Sequence, residues 1–215
     1  MAKILITSGP TRQYLDPVRY LTNASSGRMG QALAAAAKSV GHDVIVVSGP
    51  VEVSYPEGIA IVPVISTEEM LAAAQELFPD CDGAIGVAAP CDYRPIKVQD
   101  QKITKTGEPL ALHLIETPDV IASLGTDKRT DQWVVGFALE TDDHRFRAIR
   151  KLEEKSCDLI VLNSPEAMNA ENTSVEILDQ NGDVVNAISG SKRDVAHRII
   201  QTIDQRLVVN SSLRA

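Results

Sequence analysis

The sequence predicts a three-layer α/β fold: a mostly parallel, Rossmann-like sheet with helices on both faces and an appended antiparallel hairpin or arm. Three observations predict it. Short β-rich runs alternate with helical stretches along most of the 215 residues, as strands joined by helical crossovers do. The strand candidates are apolar throughout, which suits strands covered on both faces. Towards the C-terminus the alternation gives way to two strand-like runs around Asn181-Gly182, a hairpin signal.

In chain order, Lys3 to Thr7 and Asp43 to Ser48 read as buried strands around an alanine-rich helix from Met29 to Val40 that Gly41 ends. The loop after the first strand is unusually long for a βαβ unit. A second helix is predicted from Glu68 to Leu77 with Thr67 as N-cap, then a strand from Gly83 to Val87. Ala88 to Pro109 is rich in turn formers and lysine, and Leu110 to Ile115 reads as a strand. Thr117-Pro118-Asp119 opens a helix with Thr as N-cap and Pro in the first turn. Trp133 to Ala138 and Asp158 to Leu162 are further buried strands flanking a charged helix from Asp142 to Lys155. Ser174 to Leu178 and Val184 to Ile188 form the hairpin, and a helix from Lys192 to Leu207 closes the chain. Residues 1–209 are thus expected to form a single domain, with an arm at 97–115 and a frayed polar tail at 210–215.

A chain of this length buries roughly 70% of its extended surface, enough for one sizeable core. Lys+Arg 21 against Asp+Glu 29 leaves a net charge of -8, which argues against long nucleic acids and anionic membranes as partners. Aromatic residues at 4% argue against a base-stacking surface. Cys81, Cys91 and Cys157 show no metal or disulfide spacing. The N-terminus has no signal-peptide pattern, and no apolar run approaches the ~20 residues of a membrane span. A cytoplasmic protein is expected.

Ligands of open α/β sheets lie beyond the carboxyl ends of the strands, and the chemistry is sought there. Gly9 ends the first strand, and Ser25-Ser26-Gly27-Arg28-Met29-Gly30 runs into the first helix. The latter is either a phosphate cradle or an ordinary N-cap with a packing glycine. About a dozen residues separate the strand from these serines, too many for the tight dinucleotide turn. Within that insertion, Asp16, Arg19 and Asn23 place an acid, a guanidinium and an amide near the proposed phosphate site; a structural loop held by an Asp16–Arg19 pair is the bland reading. Gly86, Val87 and Ala88 offer a backbone edge on which a flat ring can lie, with Asp92 beyond to accept from ribose hydroxyls. Lys97, Lys102 and Lys105 are either a solvated surface or a polyphosphate contact. Lys151 and Lys155 share a helix face with Arg147, which is either a phosphate wall or a stripe paired with Glu154 and Asp143. Phe137 alone reads as core. No G-x-S-x-G or H-E-x-x-H occurs and the four histidines are scattered, so nucleophile–base and metal-hydrolase chemistry have little support.

Together, Ile6 to Arg12, Asp16 to Tyr20, Asn23 to Gly30, Ala88 to Arg94, Lys102 to Lys105 and Gly136 to Thr141 resemble the bacterial phosphopantothenoylcysteine synthetase family, in order from Ile4 to Leu207. The resemblance implies a ligase of coenzyme A synthesis. Such enzymes join 4'-phosphopantothenate to L-cysteine through an acyl-cytidylate made with CTP, and release pyrophosphate and CMP. By this resemblance Lys102 serves the first half-reaction, and Asn23, Arg19 and Ala89 serve the second. Gly86 to Ala88 and Asp92 hold the cytidine. Pro118, Asp119, Val120, Ile121, Phe137, Lys151 and Lys155 contact the nucleotide, with Gly9, Ser26, Gly27 and Lys105 near its phosphates.

Magnesium is implied with the triphosphate, without a dedicated metal cage. A homodimer joined through the arm is implied as well. Many relatives carry an N-terminal flavin-dependent decarboxylase domain; this chain starts at the first synthetase strand, so FMN is not expected and a separate decarboxylase protein is a candidate partner. Two positions depart from the pattern. Thr104 stands where a lysine is usual, and Pro90-Cys91 replaces the usual Val-Ala. The residues alone also leave open an NAD(P)- or flavin-linked oxidoreductase, opposed by the missing glycine fingerprint, and a non-catalytic nucleotide-binding regulator.

Overall fold

The computed structural model describes residues 1–139, 144–163 and 172–209. Its centre is an eight-stranded sheet. The parallel strands are β1 (Lys3–Ser8), β4 (Asp43–Ser48), β5 (Ala60–Pro63), β6 (Gly83–Gly86), β9 (Trp133–Leu139) and β10 (Leu159–Asn163), and the antiparallel pair β11 (Asn172–Asp179) and β12 (Val184–Ser191) extends one edge. In space the parallel strands run β5-β4-β1-β6-β9-β10. Numbered among themselves, that is the 3-2-1-4-5-6 order of the doubly wound dinucleotide fold. The chain reverses its direction of winding between β1 and β6, so a crevice opens beyond the carboxyl ends of those two strands. The predicted fold class stands, with the hairpin joined to the main sheet through β10 and β11.

Two layers of helix cover the sheet. Helices α1 (Arg28–Ser39) and α5 (Lys192–Ile203) pack on one face, where Leu33, Ala37, Ile199 and Ile200 meet Ile4, Ile6 and Val135. On the other face lie α2 (Thr67–Leu77), α3 (Val120–Asp127) and α4 (His144–Glu154), whose Met70, Leu124 and Leu152 meet Leu5, Val134 and Ile160. Each fully buried aliphatic side chain here contributes roughly 1.5–3 kcal/mol. No helix among the described residues is long and apolar enough to cross a membrane.

Three predicted caps are corrected. Ser66, not Thr67, caps α2, its Oγ accepting from the Glu69 amide at 3.1 Å. Asp119, not Thr117, caps α3 through the Ala122 amide at 2.9 Å. Gly27 caps α1 in the left-handed region at φ 73, and no side chain caps that helix, so the serines before it do not serve as predicted. The run predicted as a strand from Leu110 to Ile115 is extended only at β8 (Leu114–Glu116), because its partner β7 (Tyr93–Pro95) offers three residues to pair with. Asp142, Asp143 and the tail at 210–215 lie outside the described residues.

The long insertion is a hairpin, β2 (Arg12–Asp16) and β3 (Arg19–Thr22), which the sequence reading takes for a loop. Its turn is made by Asp16, whose Oδ1 accepts from the Val18 and Arg19 amides, each at 2.9 Å. Tyr14 and Tyr20 stack edge to face at 5.4 Å, and Arg12 lies 4.5 Å from the Tyr20 ring centre.

Candidate active site

A cavity of about 320 Å³ opens at the carboxyl ends of β6, β9 and β10, on the face covered by α3 and α4. Gly86 and Gly136 form its floor, Pro118, Asp119, Val120 and Ile121 its near wall, and Lys151 and Lys155 its far wall; Phe137 also borders it, but its side chain packs on the core of the opposite face, as its reading as core expected. Ala88, Pro90 and Asp92 rim it. Small residues make the space: a Cβ on Gly86 would come within 2.1 Å of Ile121 Cγ1. Lys155 Nζ pairs with Asp119 at 2.9 Å. Burial works against the Asp119 carboxylate, but the Ala122 amide and the Lys155 ammonium outweigh it and hold its pKa below the ordinary value. Glu154 pairs with Arg150 at 2.6 Å. The Arg147 side chain and Asp143 lie outside the described residues.

The rim loop after β6 is held by three threonines. The Cys91 amide donates to Thr11 Oγ1 at 2.7 Å, and Thr67 Oγ1 donates to the Cys91 carbonyl at 3.1 Å. Since the one Thr67 proton is committed there, the 2.8 Å contact between Thr11 and Thr67 has Thr11 as donor. The two hydroxyls close a ring on the peptide groups of a single residue. Thr117 Oγ1 donates to the same carbonyl at 2.7 Å. This ring uses only main-chain groups of residue 91; the Cys91 Sγ turns to the Tyr93 carbonyl at 3.2 Å.

Asn23 reaches the loop from the other side. Its Nδ2 donates to Pro90 O at 2.8 Å and lies 3.4 Å from Ala89 O. A second cavity of about 630 Å³ lies beyond it, lined by Pro10, Arg12, Tyr20, Asn23, Ser25, Ser26, Arg28 and Pro50 to Val53. Two guanidinium groups, Arg12 and Arg28, and the amino end of α1 outweigh the one carboxylate in this lining, Glu52. Asn23 and Ala89-Pro90 therefore stand between two cavities, one on each side of the crevice.

The candidates do not form one cluster. Ten of the predicted nucleotide residues line the first cavity: Gly86, Ala88, Asp92, Pro118 to Ile121, Phe137, Lys151 and Lys155. Asn23 and Ser26 line the second. Gly9 and Gly27 sit under Val51, whose Cγ1 would lie 2.6 and 2.7 Å from a Cβ on each. The Val87 side chain packs on the core of the opposite face, a consequence of strand alternation. Lys102 and Lys105 are exposed on a loop that lines neither cavity. Arg19 turns to Asp16 at 2.9 Å, the pairing that the bland reading of the insertion expected. Sequence reasoning named Arg28 only as part of the candidate cradle at 25–30 and gave Arg12 and Gly136, quoted within longer motifs, no role of their own; a glycine inside the apolar run of β9 was the available signal for Gly136.

Burial pushes the Cys81 thiol up to about 11 and that of Cys157 up to about 12, so neither is a thiolate at neutral pH. Among the described residues no group of three or more His, Cys, Asp or Glu is placed to hold a metal ion.

The chain is 40% identical over 206 residues to a protein named "Cysteine/Cysteine sulfinic acid decarboxylase" from an unknown prokaryotic organism, covering 94% of this chain and 57% of that one. It is 40% identical over 205 residues to the coenzyme A biosynthesis bifunctional protein CoaBC of Bacillus subtilis (strain 168), covering 93% and 50%. The chain thus spans about half the length of the curated relatives it matches. Among solved structures, the C-terminal domain of a coenzyme A biosynthesis bifunctional protein CoaBC superposes with a TM-score of 0.80 at 35% identity, covering 95% of both chains. The family described as "DNA/pantothenate metabolism flavoprotein C-terminal domain" matches residues 1–207, and with this fold and these identities the chain belongs to it.

Proposed function

We propose that this chain is a phosphopantothenate–cysteine ligase that uses CTP. One observation carries the reading: Asn23 and Ala89-Pro90 stand between a cavity with a nucleotide's dimensions and a second cavity with two arginines and a helix start. CTP fits the first cavity, with its base against the backbone at Gly86 to Ala88, its ribose towards Asp92, and Lys151 and Lys155 offsetting phosphate charge. The phosphate of 4'-phosphopantothenate fits the second, where Arg28 and the α1 amides meet an anion. The acid's carboxylate then lies over Ala89.

In the first half-reaction a carboxylate oxygen attacks the α-phosphorus, and the bond to the β-phosphate oxygen breaks to release pyrophosphate. Lys102 and Lys105 offset the charge of the departing group when their loop faces the crevice. Magnesium would come with the triphosphate and be held by its phosphate oxygens, offsetting their charge; Asp92, Glu116 and Asp119 at the cavity edge are not grouped to hold the ion themselves. In the second half-reaction the amine of cysteine attacks the acyl carbon. The Asn23 amide keeps one N–H on Pro90 and gives the other to the oxygen that gains charge. CMP leaves with the electron pair of the acyl–oxygen bond, and the new amide nitrogen loses a proton.

The site is cytoplasmic in this reading. The product passes to a decarboxylase, whether separate or part of a longer chain, and the working form is a homodimer.

The test mixes the protein with CTP, 4'-phosphopantothenate and cysteine and follows pyrophosphate and CMP. Lys102→Gln suppresses pyrophosphate release. Asn23→Asp releases pyrophosphate but slows amide formation by about 10²–10³, the usual effect of losing an oxyanion donor. Absence of both products with wild-type protein, or full activity in both variants, rejects the reading. Running ATP beside CTP decides the base.

A further inference from the structure

We propose that Asp16 is a positioning residue that docks the loop bearing Lys102 and Lys105 onto the β2–β3 hairpin, and so ties the lysine of the first half-reaction to Arg19. The functional half of this inference rests on the role proposed for Lys102; the docking itself does not.

The two oxygens of the Asp16 carboxylate have different duties. Oδ1 accepts from the Val18 and Arg19 amides and makes the hairpin turn. Oδ2 accepts from Arg19 Nη1 at 2.9 Å and from the Ile103 amide, 87 residues away, at 3.0 Å. The same Nη1 donates to the Ile103 carbonyl at 3.0 Å. Both peptide groups of Ile103 are therefore read by one acid–guanidinium pair, and Ile103 is the residue between Lys102 and Thr104. A main-chain bond from the Gln99 amide to Leu15 O at 2.9 Å gives the loop a second tie to the same hairpin. Asp16 is 0% exposed, while Lys102 and Lys105 are exposed. A turn in a surface hairpin needs Oδ1 alone; spending a fully buried second oxygen on a distant loop is what a purely local role leaves unexplained. Burial acts to raise the pKa of this group, but the Ile103, Val18 and Arg19 amides and the Arg19 charge outweigh it, so Asp16 stays ionised and acceptor-only at neutral pH.

Asp16→Asn separates the duties. The amide oxygen can still make the turn, but its NH₂ group then faces two donors and cannot hold Ile103. The first readouts need no substrate: hydrogen exchange at the Ile103 amide, and tryptic cleavage after Lys102 and Lys105, in the folded full chain. Both are expected to rise at least about tenfold, as for a loop released from its protecting bond. The third is pyrophosphate release, whose kcat is expected to fall by about tenfold or more while KM for CTP changes little, because a misplaced charge costs rate before it costs binding. Ile103→Pro removes the donor from the exposed loop and leaves Asp16 untouched; proline has no exchangeable amide and protects the Lys102 bond from trypsin, so cleavage after Lys105 and pyrophosphate release decide the matter if Asp16→Asn fails to fold. Unchanged exchange and cleavage overturn the docking. A released loop with an unchanged pyrophosphate rate overturns the link to Lys102. If the wild-type chain releases no pyrophosphate, the proposed function fails while exchange and cleavage still judge the docking.

Discussion

Thr67 shows how a single hydroxyl can matter more than its place in a helix suggests. It occupies the first position of α2, yet it donates to the Cys91 carbonyl and accepts from Thr11 in a space where both threonines are 0% exposed. Valine has the same shape and neither function. Thr67→Val leaves the Thr11 hydroxyl without an acceptor and the carbonyl with Thr117 alone, a cost of about 1–3 kcal/mol for a buried group left unpaired. Urea unfolding should show this as a lower midpoint at unchanged slope, with Thr67→Ser close to wild type; a Thr67→Val midpoint equal to wild type would refute the ring. The sequence could not reveal it. At both Ser66-Thr67 and Thr117-Pro118-Asp119 two side chains able to cap lie near each other, and propensity does not say which one serves. The threonine passed over turns inward in both cases, to a carbonyl 24 or 26 residues away in sequence, and that choice depends on a partner no local window contains. The Asp16–Arg19 pair, by contrast, was legible, because its members lie three apart around a proline turn.

Packing between elements sets the shape of the nucleotide cavity. Helix α3 meets the end of α4 at Gly125, where a Cβ would lie 1.9 Å from Lys155 O and 3.2 Å from Ser156 O. These are main-chain atoms, and no rotamer change can clear them. The chain leaves α4 through Ser156 at φ 49, so the backbone there has little freedom to move. Gly125→Ala should therefore push the two helices apart, costing about 1–3 kcal/mol as overpacking does. It should also part Asp119 from Lys155, which face the cavity from those two elements. Calorimetric titration with CTP should show weaker binding, and denaturant melts a lower midpoint; native affinity would mean the contact does not shape the site. Strands β1, β4, β6, β9 and β10 were readable because each is a run of buried apolar residues. The β2–β3 hairpin and the short strands β5 and β7 were not, and β8 was read only as the end of a longer strand from Leu110 to Ile115. They are three to five residues long, and what makes them strands is a partner rather than a pattern.

On the scale of the whole molecule, exposed apolar side chains such as Val18, Ile61 and Phe146 are scattered over this acidic chain, but they are densest along one stretch. Ile96 and Leu110 are 61% and 60% exposed, and Val98, Leu112, Leu114 and Ile115 are exposed as well. All six belong to β7, β8 or the segment that joins them, the arm that the sequence places at 97–115. A net charge of -8 opposes non-specific clumping, so a self-complementary surface able to cover these residues favours a closed pair of chains. Sedimentation velocity at micromolar concentration should therefore give a dimer. Leu110→Lys with Leu114→Glu should give a folded monomer that unfolds cooperatively at a midpoint independent of protein concentration, because both side chains are exposed in the single chain and only the stabilisation due to association is lost. Since Lys102 and Lys105 lie within the same arm, the monomer should also lose pyrophosphate release more than it loses nucleotide binding. A monomeric wild-type chain, or a double variant that remains dimeric, would place the interface elsewhere.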